Sequence, residues 1–80
     1  MKLQYWVNDT EKAMAYRDAE SVIYAVNKAL DIWKTIKSAE EADKFYSVIK
    51  QVRDFCNKNH LFESYWNCTS IIVNYCLVVK

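Results

Sequence analysis

The amino-acid sequence predicts an all-α fold, a small three-helix bundle that forms a single domain over residues 1–80. Three observations lead to this prediction. The chain contains neither glycine nor proline, which excludes collagen-like and linker-like classes and the glycine-rich loops that bind phosphates. Apolar residues recur with the period of a helix through the middle of the chain. Acidic residues begin and basic residues end the predicted helices, at about residues 9–37, 38–58 and 60–79, as the helix dipole favours.

The first predicted helix has the clearest periodicity. From Ala19 to Ile36 the apolar residues occupy one half of a helical wheel and the polar residues occupy the other half. Two starting points compete. Asn8 followed by Glu11 resembles a capping box, and Asp18 is a second candidate N-cap. The earlier start is favoured because residues 12–15 are good helix formers.

The second predicted helix begins with a capping box of the S-x-x-E form, in which Ser38 and Glu41 cap each other's backbone N–H groups. Its apolar stripe comprises Phe45, Val48, Ile49, Val52, Phe55 and Cys56. The segment 57–59 contains two asparagines, which tolerate the left-handed conformation, and we expect the helix to end there.

The last twenty residues carry conflicting signals. A polar stripe at spacings of three and four is what a helix produces, and it consists of His60, Glu63, Asn67, Ser70 and Asn74. Ile71, Ile72, Val73, Val78 and Val79, in contrast, favour strands. Alternation of Leu3, Tyr5 and Val7 also allows a short N-terminal strand. The alternative fold is therefore α+β, with two central helices packed on strands from both termini.

Charge and composition indicate which partners and which cellular location to expect. The net charge is +1 and no basic face is evident, so nucleic acid is not expected as a partner. The most apolar tract, 71–79, is far shorter than the ~20 residues of a membrane span, and no secretory signal is visible, so no membrane association is expected. An odd number of cysteines without such a signal predicts free thiols and a cytoplasmic location.

The cysteines and the single histidine have the ligand count of a Cys₃His zinc site: Cys56, His60, Cys68 and Cys76. Structural zinc sites use closely spaced cysteine pairs on turns, and none occurs here. The cysteines are therefore interpreted as small core residues, and neither a metal nor another cofactor is expected.

One short motif suggests catalysis. Arg53 and His60 are separated by six residues, and an acidic residue, Asp54, follows the arginine. This spacing resembles the R-x₄₋₆-H signature of HEPN ribonucleases, which are helical bundles and usually dimers. The resemblance implies that Arg53 would hold an RNA phosphate and that His60 would act as acid or base. A HEPN-like ribonuclease is thus the alternative function.

Aromatic composition favours another function. Six tyrosines and three tryptophans outnumber three phenylalanines. Exposed Tyr and Trp are enriched in protein interfaces because they add large contact area with little entropy loss, although tyrosines also pack at core rims. The candidate binding residues are Trp6, Tyr16, Tyr24, Tyr46 and Trp66. The preferred function is a non-enzymatic protein-binding module, an inhibitor or adaptor such as a phage-type anti-defence protein, with homodimerisation also allowed.

Overall fold

The computed structural model describes residues 2–76, and an all-α bundle is confirmed for this part of the chain. The helices are α1 (Lys2–Ala15), α2 (Ala19–Trp33), α3 (Ala39–Lys58) and α4 (Phe62–Ile71), and a π-helical segment (Ile72–Cys76) continues α4. The described residues thus form four helices, where the sequence predicts three. Helix α1 packs against α2 and α3, and α4 packs mainly against α3.

The predicted continuous helix over residues 9–37 is wrong, because the chain breaks between α1 and α2. Arg17 adopts a left-handed conformation with φ of 54°, and the Asp18 N–H donates to the Ala13 carbonyl at 2.9 Å, which closes the end of α1. The Asp18 carboxylate then accepts hydrogen bonds from the Ser21 N–H at 3.3 Å and the Ser21 hydroxyl at 2.8 Å. Asp18, the second candidate start, is therefore the N-cap of α2. The residues before it form a separate helix, α1.

The predicted N-terminal strand is also wrong, since α1 begins at Lys2. The alternation of Leu3, Tyr5 and Val7 coincides with a helical pattern in which Leu3, Trp6 and Val7 are buried and Tyr5 is exposed. Asn8 lies inside α1, where it accepts a hydrogen bond from the Gln4 side chain at 2.9 Å, so it caps nothing.

Helix α3 begins as predicted. The Glu41 N–H donates to the Ser38 hydroxyl at 3.2 Å, as the capping box predicts. The Glu41 carboxylate differs from the prediction, because it accepts from the Lys37 N–H at 3.1 Å and from the Ser38 hydroxyl at 3.4 Å. The helix ends at Lys58, within the predicted segment. However, the left-handed residue is His60, with φ of 61°, because the Leu61 N–H donates to the Cys56 carbonyl and forces the chain to turn there.

The C-terminal segment is helical over its described part, so periodicity outweighs strand propensity there and the α+β alternative is wrong for residues 2–76. The predicted third helix begins two residues late, at Phe62, and its last part, 77–79, lies outside the described residues. None of the described helices is long and apolar enough to cross a membrane.

An aromatic cluster holds the bundle together. Phe45 of α3 is fully buried, and its ring lies 5.1 Å from that of Trp6 in α1 and 5.5 Å from that of Trp33 in α2. Trp33 in turn lies 6.1 Å from Tyr75 of the π-helical segment. One aromatic ring from each of α1, α2, α3 and the π-helical segment therefore belongs to one connected core.

Candidate functional site

A groove of about 340 Å³ lies between α1 and α2. Small or buried side chains form its floor: Trp6, Thr10, Ala13 and Ala25. Exposed side chains form its rims: Asp9, Lys12, Tyr16, Asp18, Ser21, Tyr24 and Lys28. We call this site the α1–α2 groove. Two alanines in the floor leave space between the helices that larger side chains would fill.

Trp6 does not project from the bundle as an exposed binding residue, in contrast to the sequence-based expectation. It is only 6% exposed, its indole N–H donates to the Ala25 carbonyl at 2.9 Å, and its ring stacks on Phe45. Because α1 begins at Lys2, Trp6 lies on the inward face together with Leu3 and Val7. Its contribution to the groove is a rigid floor.

Tyr16 and Tyr24 are exposed by 74% and 64% and line the α1–α2 groove. The predicted first helix, 9–37, contains both residues. In the structure Tyr16 lies in the turn that follows α1 and Tyr24 lies on α2, and the turn at Arg17 brings them to the same groove. The Lys28 ammonium lies 5.5 Å from the centre of the Tyr24 ring, which supports the orientation of that ring.

The remaining two candidate residues do not line this groove. Tyr46 is half-buried on α3, and the Lys50 ammonium lies 4.4 Å from its ring centre. Trp66 is exposed on α4 and its ring lies 5.3 Å from that of Tyr65, edge to face. Of the five candidate binding residues, three line the α1–α2 groove, namely Trp6, Tyr16 and Tyr24. Tyr46 lies on α3 and Trp66 lies on α4.

The charges around the groove are balanced. Asp9 and Lys12 lie on α1, and Asp18 and Lys28 lie on the α2 side. Hydrogen bonds from Ser21 lower the pKa of Asp18, so this carboxylate stays ionised at neutral pH. Among the described residues, none of these four charges takes part in a salt bridge. Asp9 and Lys12 are thus available to pair with charges of a ligand, whereas Asp18 also accepts the Ser21 hydrogen bonds and Lys28 also lies over the Tyr24 ring.

Thr10 is a groove residue that sequence reasoning missed. Its side chain is fully buried, and its hydroxyl oxygen has no hydrogen-bond partner among the described residues. A buried hydroxyl without a partner lowers stability because it gives up its bonds to water. The only signal in the sequence is a polar residue within the apolar stripe of α1, at three and seven residues from Val7 and Leu3.

Replacing Thr10 with valine tests whether its buried hydroxyl lowers the stability of the protein. We expect Thr10→Val to raise the free energy of unfolding by about 1–2 kcal/mol, because it removes the unsatisfied hydroxyl and preserves the β-branched shape. Urea denaturation followed by circular dichroism measures the change. Thr35→Val is the matched control, since the Thr35 hydroxyl donates to the Ile32 carbonyl at 2.7 Å and its loss should not stabilise the protein. A destabilised Thr10→Val variant would contradict the prediction.

The two residues of the ribonuclease-like motif do not share a helix face. Arg53 is half-buried on α3, with its Nε 3.9 Å from the Asp54 carboxylate. His60 is exposed in the turn after α3, and its ring lies 5.5 Å from that of Phe62. Arg53 and His60 therefore do not lie on one continuous helix, because α3 ends at Lys58.

The cysteines occupy the interior, as their interpretation as core residues expects. Cys56 of α3 and Cys68 of α4 are fully buried neighbours, and Cys76 is half-buried. Burial raises the pKa of all three thiols. For Cys68, burial and, to a smaller extent, the neighbouring Cys56 raise the pKa to about 12. Thiols with such raised pKa values are poor nucleophiles. Across residues 2–76, no three His, Cys, Asp or Glu side chains lie close enough together to hold a metal ion.

Comparison with known proteins supplies no relative. Neither a protein family, nor a curated protein, nor a solved structure matches this chain significantly.

Proposed function

We propose that this protein is a protein-binding module that accepts a helical segment of its partner in the α1–α2 groove. One observation carries the proposal. The groove combines an apolar floor built on Trp6 with two exposed tyrosines, Tyr16 and Tyr24, at its rims. Large aromatic side chains beside a preformed apolar depression are typical of the residues that dominate binding energy in protein interfaces.

The shape of the groove favours a helix as the bound element. Two helices joined by a short turn form its walls, as in proteins that bind an amphipathic helix between two of their own. Its volume of about 340 Å³ is at the low end for binding pockets, which suits one or two apolar side chains of a partner. The bound helix would insert those side chains between Tyr16 and Tyr24.

The rim charges constrain the partner further. Basic side chains of the partner would complement Asp9 and Asp18, and acidic ones would complement Lys12 and Lys28. The partner helix should therefore carry both signs of charge beside its apolar face, and binding should depend only moderately on salt. A small protein that covers such a helix on another protein would act as an inhibitor or an adaptor, and the phage-type anti-defence role belongs to the inhibitor class.

The proposal is tested by binding measurements on matched variants. The partner is first captured with the tagged protein and then purified, so that its affinity for the wild-type chain can be measured by calorimetry. We expect Tyr16→Ala/Tyr24→Ala to weaken binding by about 100-fold or more, as loss of two interface anchors does. Tyr5→Ala is the matched control, because Tyr5 is equally exposed on α1 but does not line the groove.

Two results would refute the proposal. One is unchanged affinity of the double variant with a wild-type circular dichroism spectrum. The other is an equal loss of affinity in Tyr5→Ala, which would place the contact on a different face of α1.

A further inference from the structure

A second exposed surface lies on α4 and the π-helical segment, outside the α1–α2 groove. Phe62, Trp66 and Val73 are exposed by 53%, 65% and 51%. Their spacings of four and seven residues place them on one side of the helix, and we call them the α4 stripe. Large apolar side chains exposed along one side of a helix mark interaction surfaces in soluble proteins.

The segment that carries the α4 stripe is almost uncharged. Between Phe62 and Cys76 the only charged residue is Glu63, and the exposed neighbours Asn67, Ser70 and Asn74 are neutral. Depletion of charge is the compositional signature of an interface core. Such a surface offers little to a strongly charged partner, and its best complement is another uncharged helix with an apolar stripe.

The α4 stripe is self-complementary when it pairs antiparallel with a copy of itself. If the pairing is centred between Asn67 and Cys68, Phe62 lies opposite Val73 of the second copy. Trp66 then lies opposite the small residues Thr69 and Ser70, and each large side chain meets a smaller one. This is an isologous contact, because each residue pair occurs twice about a two-fold axis. Glu63 lies opposite neutral residues, so no like charges meet.

We propose that the protein forms a homodimer in which α4 packs antiparallel against α4 of a second copy. Burying the exposed parts of the α4 stripe removes roughly 300 Å² per copy from water, since an aromatic side chain presents about 150–250 Å². The two copies together bury roughly 600 Å², which is below the about 1,200 Å² of stable specific interfaces, so we expect a weak and reversible dimer. No groove residue takes part, so dimerisation is independent of the proposed function.

Sedimentation equilibrium of the full chain over micromolar to submillimolar concentrations tests the proposal. We expect a monomer–dimer equilibrium for the wild type and at least a tenfold weaker association for Trp66→Glu, which places two carboxylates in the interface. Tyr5→Glu is the control, since it adds the same charge at an exposed aromatic position of α1 and should leave association unchanged. Circular dichroism verifies that both variants remain helical.

A disulfide trap tests the register. In a Cys76→Ser background, a chain that carries both Phe62→Cys and Val73→Cys should form crosslinked dimers under mild oxidation, whereas Phe62→Cys alone and the background chain should not. A monomer at all concentrations, or a dimer insensitive to Trp66→Glu, would overturn the proposal. Equal crosslinking by Phe62→Cys alone would overturn the antiparallel arrangement.

Discussion

Replacing Phe45 with alanine is expected to lower the free energy of unfolding by about 3–5 kcal/mol, as for other fully buried aromatic residues. Phe45 contacts the rings of both Trp6 and Trp33, so its loss opens a cavity where α1, α2 and α3 meet. A domain of 80 residues is stable by only roughly 4–12 kcal/mol. The substitution should therefore bring the protein close to unfolding at room temperature.

The measurement is urea denaturation monitored by circular dichroism and by tryptophan fluorescence. Phe62→Ala serves as the control at concentrations where the chain is monomeric, because Phe62 is the same residue type on the surface and should change stability by less than about 0.5 kcal/mol. Equal effects of the two substitutions would show that Phe45 is not the centre of the core.

Replacing Trp6 with alanine is expected to have an effect of similar size, about 3–5 kcal/mol, because the indole ring stacks on Phe45 and is almost fully buried. The contribution of ring packing can be separated from that of the indole hydrogen bond. Trp6→Phe keeps most of the ring but loses the hydrogen bond to the Ala25 carbonyl, for which we expect a loss of about 1 kcal/mol.

Tyr5→Ala is the neighbouring control for Trp6, since Tyr5 is exposed and its truncation should cost less than about 0.5 kcal/mol. Trp6→Ala should also remove the floor of the α1–α2 groove, while Trp6→Phe should keep the floor. A Trp6→Ala variant as stable as the wild type would show that Trp6 lies on the surface, as the sequence alone suggested.

The sequence predicts α3 correctly from its first turn onwards. A capping box acts between residues three apart, so Ser38 and Glu41 can be recognised without knowledge of the rest of the fold. The apolar side of α2 is predicted for the same reason, because Val22, Val26 and Ala29 follow a local period. Such signals require only neighbouring residues.

The candidate site is predicted only in part. The sequence predicts that Tyr16 and Tyr24 are exposed, and both line the groove. It does not predict the roles of Thr10 and the floor alanines, because a cavity depends on which helices face each other. It predicts an exposed Trp6, because the predicted first helix begins after this residue.

Short-range patterns within the chain are thus sufficient for the helical class, the capping of α3 and the apolar side of α2, since each depends on contacts of three or four residues in sequence. Packing between segments distant in sequence decides where α1 ends and which side chains are buried. Arg17 adopts a left-handed conformation that costs a residue with a side chain about 1–2 kcal/mol. The chain accepts this cost because the turn folds α1 back onto α2 and α3, where Trp6 reaches both the Ala25 carbonyl and the ring of Phe45. The α1–α2 groove exists only as a consequence of that turn.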